Sequence, residues 1–233
     1  MTHTLHLLCA GAAQGLVKAL QAQLLAETGA TVAGRFGAVG AMKEALLAGE
    51  PCDVLVSTDK MIGELIADGR LRAESRAPLG RVRTGIAVRR GERHPDVASP
   101  DALKAALLAA DAIYFPDAVR STAGIHFAGV MRELGIFDRL EPRFRTYPNG
   151  AAAMRGLAAN DAPRLIGCTQ VTEIKYTDGV ELVAPLPARF ELATTYTAAV
   201  STSAAEPVLA QRFIRMLAGP AAQALREAGG FES

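Results

Sequence analysis

The sequence predicts an α/β protein built from strand–helix–strand units. Strand-like apolar runs alternate with runs whose apolar residues recur at helical spacing, and turns rich in Gly, Ala and Ser separate them. Of the 233 residues, 50% are hydrophobic, only 5% are aromatic and Trp is absent. Because β–α–β crossovers are right-handed, such a succession places parallel strands in one sheet with helices on both faces.

The first part of the chain contains three predicted strand–helix pairs. Leu16, Leu20 and Leu24 share one helical face, and Gly29 ends that helix. The predicted elements are a strand over 4–10, a helix ending near 29, a strand over 31–36, a helix over 39–47, a strand over 52–56 and a helix over 61–67.

A second α/β unit follows. Ser99 and Pro100 are typical of a helix start, with Ser as N-cap and Pro as the first helical residue. The predicted strands cover 81–89, 112–115, 144–147, 165–168, 180–183 and 192–200. One helix is predicted to start at 99, and further helices are predicted over 122–134, 149–158, 170–174, 206–217 and 220–228. A late strand followed by terminal helices indicates that the chain returns to its first lobe. We therefore expect one lobe from 1–82 plus 197–233 and another from 83–196.

Composition excludes several classes of partner and cofactor. A net charge of +1 gives no electrostatic reason to expect nucleic acid or an anionic membrane surface, so anion recognition has to be local. No run approaches the roughly 18 apolar residues of a membrane span. Cys9, Cys52 and Cys168 lie in apolar strand-like contexts, and their odd number favours buried thiols over disulfides or zinc. We expect a monomer without metal or cofactor.

The amino terminus bears on localisation. Residues 1–3 lead directly into the first strand, without a basic segment or a separate apolar segment of a signal peptide. As written, the sequence predicts a cytoplasmic protein. A mature form from which a leader had been removed would look identical, and that alternative predicts the periplasm.

Three turns at strand-to-helix junctions are the main functional feature. They lie at 9–14, 36–42 and 57–60, where small residues leave helix-start amides free to face an anion. Comparable helix starts recur at 120–124, 149–151 and 169–170. Since parallel strands end at one edge of a sheet, these turns predict a binding cleft. The alternative is that small residues there only permit close packing and capping.

These features, in this order, resemble the molybdate-binding proteins of ABC importers and the wider family of two-lobed, type II periplasmic binding proteins. The resemblance spans the chain and is carried by 11–14, 37–40, 53–59, 85–89 and 213–220 running to 231. It implies two lobes, each a mostly parallel sheet flanked by helices, with a small anionic ligand in the cleft between them. It also implies an ABC importer as partner if the chain is exported.

The sequence departs from that family at the ligand. Members that bind molybdate usually place Ser near Ala13 and near Ala38 or Val39, and Tyr near Gln170; here these hydroxyls are missing. Losing several hydrogen bonds of about 1–3 kcal/mol each would weaken oxyanion binding by decades. We therefore expect a carboxylate rather than molybdate, as in a branch that also resembles the aconitate isomerases of this fold.

The predicted ligand-binding set combines helix-start amides with nearby polar side chains. Arg120 is suited to a two-pronged grip on a carboxylate, although a solvated loop arginine is an equal alternative. The set consists of Ala12, Ala13, Gln14, Ala38, Val39, Ser57, Thr58, Arg120, Ser121, Thr122, Ala151 and Gln170.

Three functions from different classes fit these residues. The first is a solute-binding protein that closes on a small anion. The second is an isomerase that moves a proton along a small polycarboxylate, with His126, Tyr147 or Glu173 as candidate proton carriers. His126 and Glu173 also have structural alternatives, as a packed or surface histidine and as a helix or hinge charge. Tyr147 could reach the mouth of the cleft and donate from its hydroxyl. The third is an intracellular ligand-sensing domain.

Overall fold

A computed structural model describes residues 3–233, which contain nine β-strands and ten α-helices. The chain folds into two compact units. Unit 1 comprises the described residues up to Val82 together with Thr194–Ser233, and unit 2 comprises Arg83–Ala193. The strands are β1 Thr4–Ala10, β2 Thr31–Gly37, β3 Val54–Thr58, β4 Ala77–Arg89, β5 Ala112–Pro116, β6 Phe144–Tyr147, β7 Leu165–Gln170, β8 Val180–Pro185 and β9 Ala193–Val200. The helices are α1 Gln14–Thr28, α2 Val39–Leu47, α3 Asp59–Ala67, α4 Pro100–Ala109, α5 Thr122–Glu133, α6 Phe137–Leu140, α7 Gly150–Ala158, α8 Val171–Tyr176, α9 Pro207–Ala218 and α10 Gln223–Gly229.

In unit 1 the strands lie in the order β2-β1-β3-β9. The first three are parallel, and β9 is antiparallel to β3. Leu16, Leu20 and Leu24 are buried on one face of α1, and Gly29 ends that helix with a φ of +70°. Both α9 and α10 pack against α1. The helical periodicity in the sequence therefore marks the face that is buried in this unit.

A buried carboxylate, Asp53, connects β1 to the start of α9. Asp53 is 1% exposed, and its Oδ2 accepts a 2.7 Å hydrogen bond from the amide of His6 in β1. Its Oδ1 accepts a 2.9 Å bond from the amide of Glu206, the N-cap residue of α9. Asp53 thus ties the strand ends opposite the helix starts of α1–α3 to the C-terminal segment.

Unit 2 has the strand order β4-β7-β5-β6, with β8 also paired to β4. β5 is parallel to β6 and β7, whereas β4 runs antiparallel to β7 and β8. Its core contains Phe115, whose ring centroid lies 5.6 Å from Phe127 and 5.0 Å from Phe144, both edge to face. Each unit is therefore a mostly parallel sheet with helices, as expected from the sequence.

Gly124 shows how closely α5 packs on its sheet. A Cβ at this position would lie 2.3 Å from the backbone oxygens of Pro116 and Asp117. Gly129, on the same helix, has no atom within 4 Å of such a Cβ. Only a residue without a side chain fits where α5 begins beside the end of β5.

Several boundaries differ from the sequence prediction. α3 begins at Asp59 rather than at residue 61, because the Thr58 hydroxyl caps the helix by accepting from the amide of Met61. The short helix α6 was not predicted, and the last helix starts with a 3-10 turn, Pro220–Ala222, before α10. β4 begins at Ala77, earlier than predicted.

The cysteines, the possible metal ligands and the helix lengths bear on disulfides, metal sites and membrane spans. Cys9, Cys52 and Cys168 are free and buried. Within residues 3–233, no cluster of His, Cys, Asp and Glu has the makings of a metal site. Across the same residues, no helix is both long enough and apolar enough to span a bilayer.

Candidate functional site

The helix starts of unit 1 meet at one edge of its sheet. Ala10 is the register partner of Gly37, and Cys9 is the partner of Val56, so β1, β2 and β3 end at the same level. We call this edge, formed by residues 10–14, 37–39 and 57–59, the unit 1 edge. It brings together the unit 1 members of the predicted ligand-binding set, which are Ala12, Ala13, Gln14, Ala38, Val39, Ser57 and Thr58.

Two of these helices begin without a side-chain cap. The chain enters α1 through a 3-10 turn, Gly11–Ala13, and the N-cap residue Ala13 has no side-chain oxygen. α2 has the equally inert N-cap Ala38. First-turn amides with no capping side chain, at the positive end of a helix dipole, are suited to bind an anion.

The start of α3 already carries an acidic side chain, Asp59. Asp59 lies in the first turn of α3, where Arg76 Nη2 binds its Oδ2 at 2.6 Å and the Thr197 hydroxyl donates to its Oδ1 at 2.8 Å. The Arg76 hydrogen bonds lower the pKa of Asp59. Since the Thr58 hydroxyl caps α3 as well, this helix start is more fully satisfied than those of α1 and α2.

Ser57 differs from Thr58 in the hydrogen bonding of its hydroxyl. It is 1% exposed, and its hydroxyl has no hydrogen-bond partner among the described residues. A buried hydroxyl left unpaired costs about 1–3 kcal/mol. At the end of β3, beside the helix starts, this hydroxyl is a candidate ligand contact that the sequence prediction had included.

In unit 2, the start of α5 resembles those of α1 and α2. Its N-cap residue, Ser121, is buried but makes no side-chain capping bond, and Thr122 begins the helix. The preceding loop is shaped by Asp117, whose Oδ1 accepts from the amides of Val119 at 2.7 Å and Arg120 at 2.9 Å. Arg120 is exposed at the end of this loop.

The start of α7 is occupied by the protein itself. Asn149 Oδ1 accepts from the amide of Ala152 at 2.9 Å. The carboxyl of Glu173 accepts from the backbone N–H groups of Gly150, Ala151 and Gln170. A Cβ on Gly150 would lie 1.9 Å from Glu173 Oε2, so this carboxyl sits directly over the glycine. The Ala151 amide, predicted as a ligand contact, therefore donates to an internal carboxyl in this structure.

Burial dominates the electrostatics of Glu173. It is 4% exposed, and burial raises its pKa above the usual 4.5, although bonds from Thr169 and three amides act in the opposite direction. The Glu173 carboxyl thus occupies the start of α7, a role that the sequence analysis did not assign to it.

Beside it lies a pair of buried polar residues without partners. Thr84 of β4 and Gln170 of β7 are register neighbours and are 1% and 2% exposed. The Thr84 hydroxyl and both amide atoms of Gln170 have no hydrogen-bond partner among the described residues. Gln170 was predicted as a ligand contact and Thr84 was not. The available hint was a threonine directly before the apolar run 85–88 of β4.

The three candidate proton carriers are held by structural contacts. His126 Nε2 lies 2.7 Å from the carbonyl oxygen of Phe190, to which it donates. The Tyr147 ring stacks on Tyr114, and its hydroxyl packs over Gly156, about 9 Å along α7 from the helix start. Glu173 is enclosed as described above. In unit 2, none of the three is presented as a free acid or base at a helix start.

Two surface pockets lie outside the predicted site. One of about 290 Å³ in unit 2 is lined by Val88, His94 and Arg164. Another of about 330 Å³ in unit 1 involves Leu79, Arg226 and Phe231. Neither includes a residue of the predicted ligand-binding set. The unpartnered polar groups, rather than cavity size, therefore mark the candidate site.

Comparison with known proteins places these features in a family. Residues 5–232 match the family described as bacterial extracellular solute-binding protein. An aconitate isomerase from Pseudomonas sp. is 27% identical over 194 residues, which cover 81% of this chain and 71% of that protein.

Solved structures support the fold. The periplasmic molybdate-binding protein of Azotobacter vinelandii has a TM-score of 0.79 at 21% identity, covering 98% of this chain and 99% of its own. The sulfate-binding protein SubI of Mycobacterium tuberculosis H37Rv has a TM-score of 0.74 at 16% identity, covering 98% and 86%. With its two units, each a mostly parallel sheet flanked by helices, the chain belongs to the bacterial extracellular solute-binding protein family and has the type II periplasmic-binding-protein fold.

Proposed function

We propose that this protein binds a small carboxylate through the helix starts and buried polar side chains of its two units. One observation carries the proposal: unpartnered buried hydrogen-bonding groups accompany uncapped helix starts in each unit. Ser57 lies beside α1 and α2 in unit 1, and Thr84 and Gln170 lie in the sheet of unit 2 that also carries α5.

The donor inventory favours a carboxylate over a tetrahedral oxyanion. Ala13, Ala38 and Val39 offer only backbone amides, and the Ala151 amide is engaged by Glu173. A carboxylate has two oxygens to satisfy and can also accept a two-pronged bond from an arginine such as Arg120. We therefore propose weak molybdate binding. If the protein is exported, its partner would be an ABC importer.

The sequence relationship to an aconitate isomerase supports a second candidate function. The reaction would be a proton shift along a small tricarboxylate: one C–H bond breaks, the double bond moves, and a proton returns at another carbon. No oxidant or reductant is needed. The chain would have to supply a base, and His126 and Glu173 are both committed to internal hydrogen bonds. Binding without turnover therefore has the stronger structural support.

Thermal shift followed by titration calorimetry tests the primary proposal. The probes are cis-aconitate, trans-aconitate, citrate, tricarballylate, sulfate and molybdate. We expect at least one carboxylate to raise the melting temperature, since a ligand at 100 times its Kd adds about 2.7 kcal/mol. Submicromolar molybdate binding with no response to carboxylates would contradict the proposal. Incubation of trans-aconitate with the protein, followed by NMR, tests the isomerase alternative; absence of the cis isomer would rule it out.

Arg120→Ala tests the carboxylate anchor. We expect at least about tenfold weaker binding, because truncating a charged partner typically costs more than 1.4 kcal/mol. Arg93→Ala is the matched control, since Arg93 is an exposed arginine of the same unit in the loop after β4. Equal affinities of the two variants would show that Arg120 is not a ligand contact.

A further inference from the structure

We infer that the ligand carries a hydroxyl group as well as its carboxylate, so that the substrate class is the hydroxycarboxylates. This inference rests on the proposed function and extends it to the chemistry of one contact in unit 2. It comes from the hydrogen-bonding capacity of Gln170 and Thr84, the register pair of β7 and β4.

The Gln170 side chain requires both a donor and an acceptor. Its Nε2 and Oε1 are both buried, and neither has a partner among the described residues. Nε2 can only donate and Oε1 can only accept. Exchanging the two atoms of the amide leaves the same pair of requirements in place, so the argument does not depend on the orientation of the amide.

A fully deprotonated oxyanion or an unsubstituted carboxylate presents acceptors alone. Either could satisfy Nε2 of Gln170 and the hydroxyl proton of Thr84, but either would leave Oε1 buried and unpaired. A ligand hydroxyl both donates and accepts, so it can serve Oε1 while another ligand oxygen accepts from Nε2 or Thr84. A site built to pair with a hydroxyl rejects the analogue that lacks it, because the buried protein group is then left unsatisfied.

The surroundings of Gln170 favour a neutral group at this point. The backbone N–H of Gln170 donates to the carboxyl of Glu173, which also accepts from the backbone N–H groups of Gly150 and Ala151 at the start of α7. An anionic group brought near that carboxyl would be repelled by it and would find the first amides of α7 already engaged. An uncharged hydroxyl meets neither obstacle. The negative end of the ligand therefore belongs elsewhere in the site.

Two ligand pairs that differ only by a hydroxyl test this inference by calorimetry. Citrate carries a hydroxyl that tricarballylate lacks, and malate carries one that succinate lacks. We expect the wild type to prefer the hydroxylated member of at least one pair by about tenfold or more, which corresponds to about 1.4 kcal/mol. In Gln170→Met, which keeps an unbranched side chain of similar volume without the amide, the preference should fall to within about threefold. Thr84→Val is the second variant, should Gln170→Met fail to fold.

The outcomes separate this inference from the proposed function. If carboxylates bind but the hydroxylated and plain members bind equally, or the plain members bind more tightly, the inference is overturned and the proposed function stands. A hydroxyl preference that persists unchanged in both variants also overturns the assignment to Gln170 and Thr84. If no carboxylate binds at all, the proposed function fails and this inference fails with it.

Discussion

The Thr169 hydroxyl donates a 2.5 Å hydrogen bond to Oε2 of Glu173, and both residues are buried. This contact joins the end of β7 to α8, and the same carboxyl reaches the first amides of α7. Glu173 thus serves α7 as a bound anion would serve an uncapped helix. The start of α7 is thus satisfied internally, whereas those of α1, α2 and α5 have no side-chain cap.

Glu173 predicts a specific pH dependence of stability. Burial raises its pKa above 4.5, so the folded state holds this proton more tightly than the unfolded state does. The stabilisation from protonation is then complete below the unfolded-state pKa of about 4.3 and is lost as the pH rises through the folded-state value. Glu173→Gln cannot ionise. The wild type should therefore lose stability relative to this variant as the pH rises from about 4.5 to about 8.

Urea unfolding at several pH values measures this difference. Glu64→Gln is the control, because Glu64 is an exposed carboxylate in unit 1. A difference between Glu173→Gln and the wild type that stays constant over the pH range would show that Glu173 does not hold its proton as expected.

Gly124 and Gly129 predict opposite effects of the same substitution on one helix. Gly124→Ala would force a Cβ to 2.3 Å from two backbone oxygens, which cannot move without shifting β5. We expect a loss of about 1–3 kcal/mol in the free energy of unfolding. Gly129→Ala meets no atom within 4 Å and should raise stability by about 0.5–1 kcal/mol through helix propensity. Thermal and urea unfolding check both values, and equal effects would contradict the close packing of α5.

Ser57 and Ser75 form a matched pair that separates binding from stability. The Ser57 hydroxyl has no hydrogen-bond partner within residues 3–233, so Ser57→Ala should leave the free energy of unfolding within about 0.5 kcal/mol of the wild type, or raise it. The same variant should weaken binding of the best carboxylate by about tenfold.

Ser75 is equally buried but fully bonded. Its hydroxyl donates to the Arg72 carbonyl at 2.6 Å and accepts from the Val200 amide at 2.8 Å. Ser75→Ala should lose about 1–3 kcal/mol of stability without changing affinity. Calorimetry and urea titration of both variants test the assignment, and an unchanged affinity in Ser57→Ala would remove Ser57 from the site.

The cysteines predict a simple chemical result. Burial raises the pKa of Cys52 to about 12 and raises those of Cys9 and Cys168 well above the usual value of 9.0. Because the thiolate is the reactive form, we expect almost no labelling by a thiol reagent at pH 8 in the folded protein. All three thiols should react after unfolding in urea. Rapid labelling of one thiol in the folded state would place that cysteine at the surface.

Much of the fold follows from local patterns. The leucines of α1, the end of α1 at Gly29 and the Ser99–Pro100 start of α4 were all recognisable, because each depends on residues close in the chain. The predicted helix start at residue 61 was wrong. The Thr58 hydroxyl caps the helix, and Thr58 precedes the hydrophobic residues on which the prediction was based. Helix α6 is only four residues long, too short to show a period.

The candidate site was less accessible to such reasoning. The strand ends that carry Ser57 and Gln170 were identified because parallel strands of consecutive β–α units must end at one edge. Thr84 was overlooked, since β4 runs antiparallel to β7 and its place beside Gln170 depends on a strand pairing between distant segments. His126 and Tyr147 were plausible proton carriers by residue type, but their partners, Phe190 and Gly156, come from tertiary packing.

By itself, the sequence determined the order of strands and helices, the parallel β–α–β units and the small-residue turns, because these depend on short-range periodicity and on turn chemistry. Only the tertiary structure decided which hydrogen-bonding groups at those turns are already satisfied. The Ala151 amide donates to Glu173 and the Thr58 hydroxyl accepts from Met61. In the part of the chain that the structure describes, Ser57, Thr84 and Gln170 retain unpaired polar atoms. The physical reason is that satisfying a buried polar group requires a partner within about 3 Å. For a group such as the Ala151 amide, that partner comes from a distant part of the chain and is brought within reach only by folding.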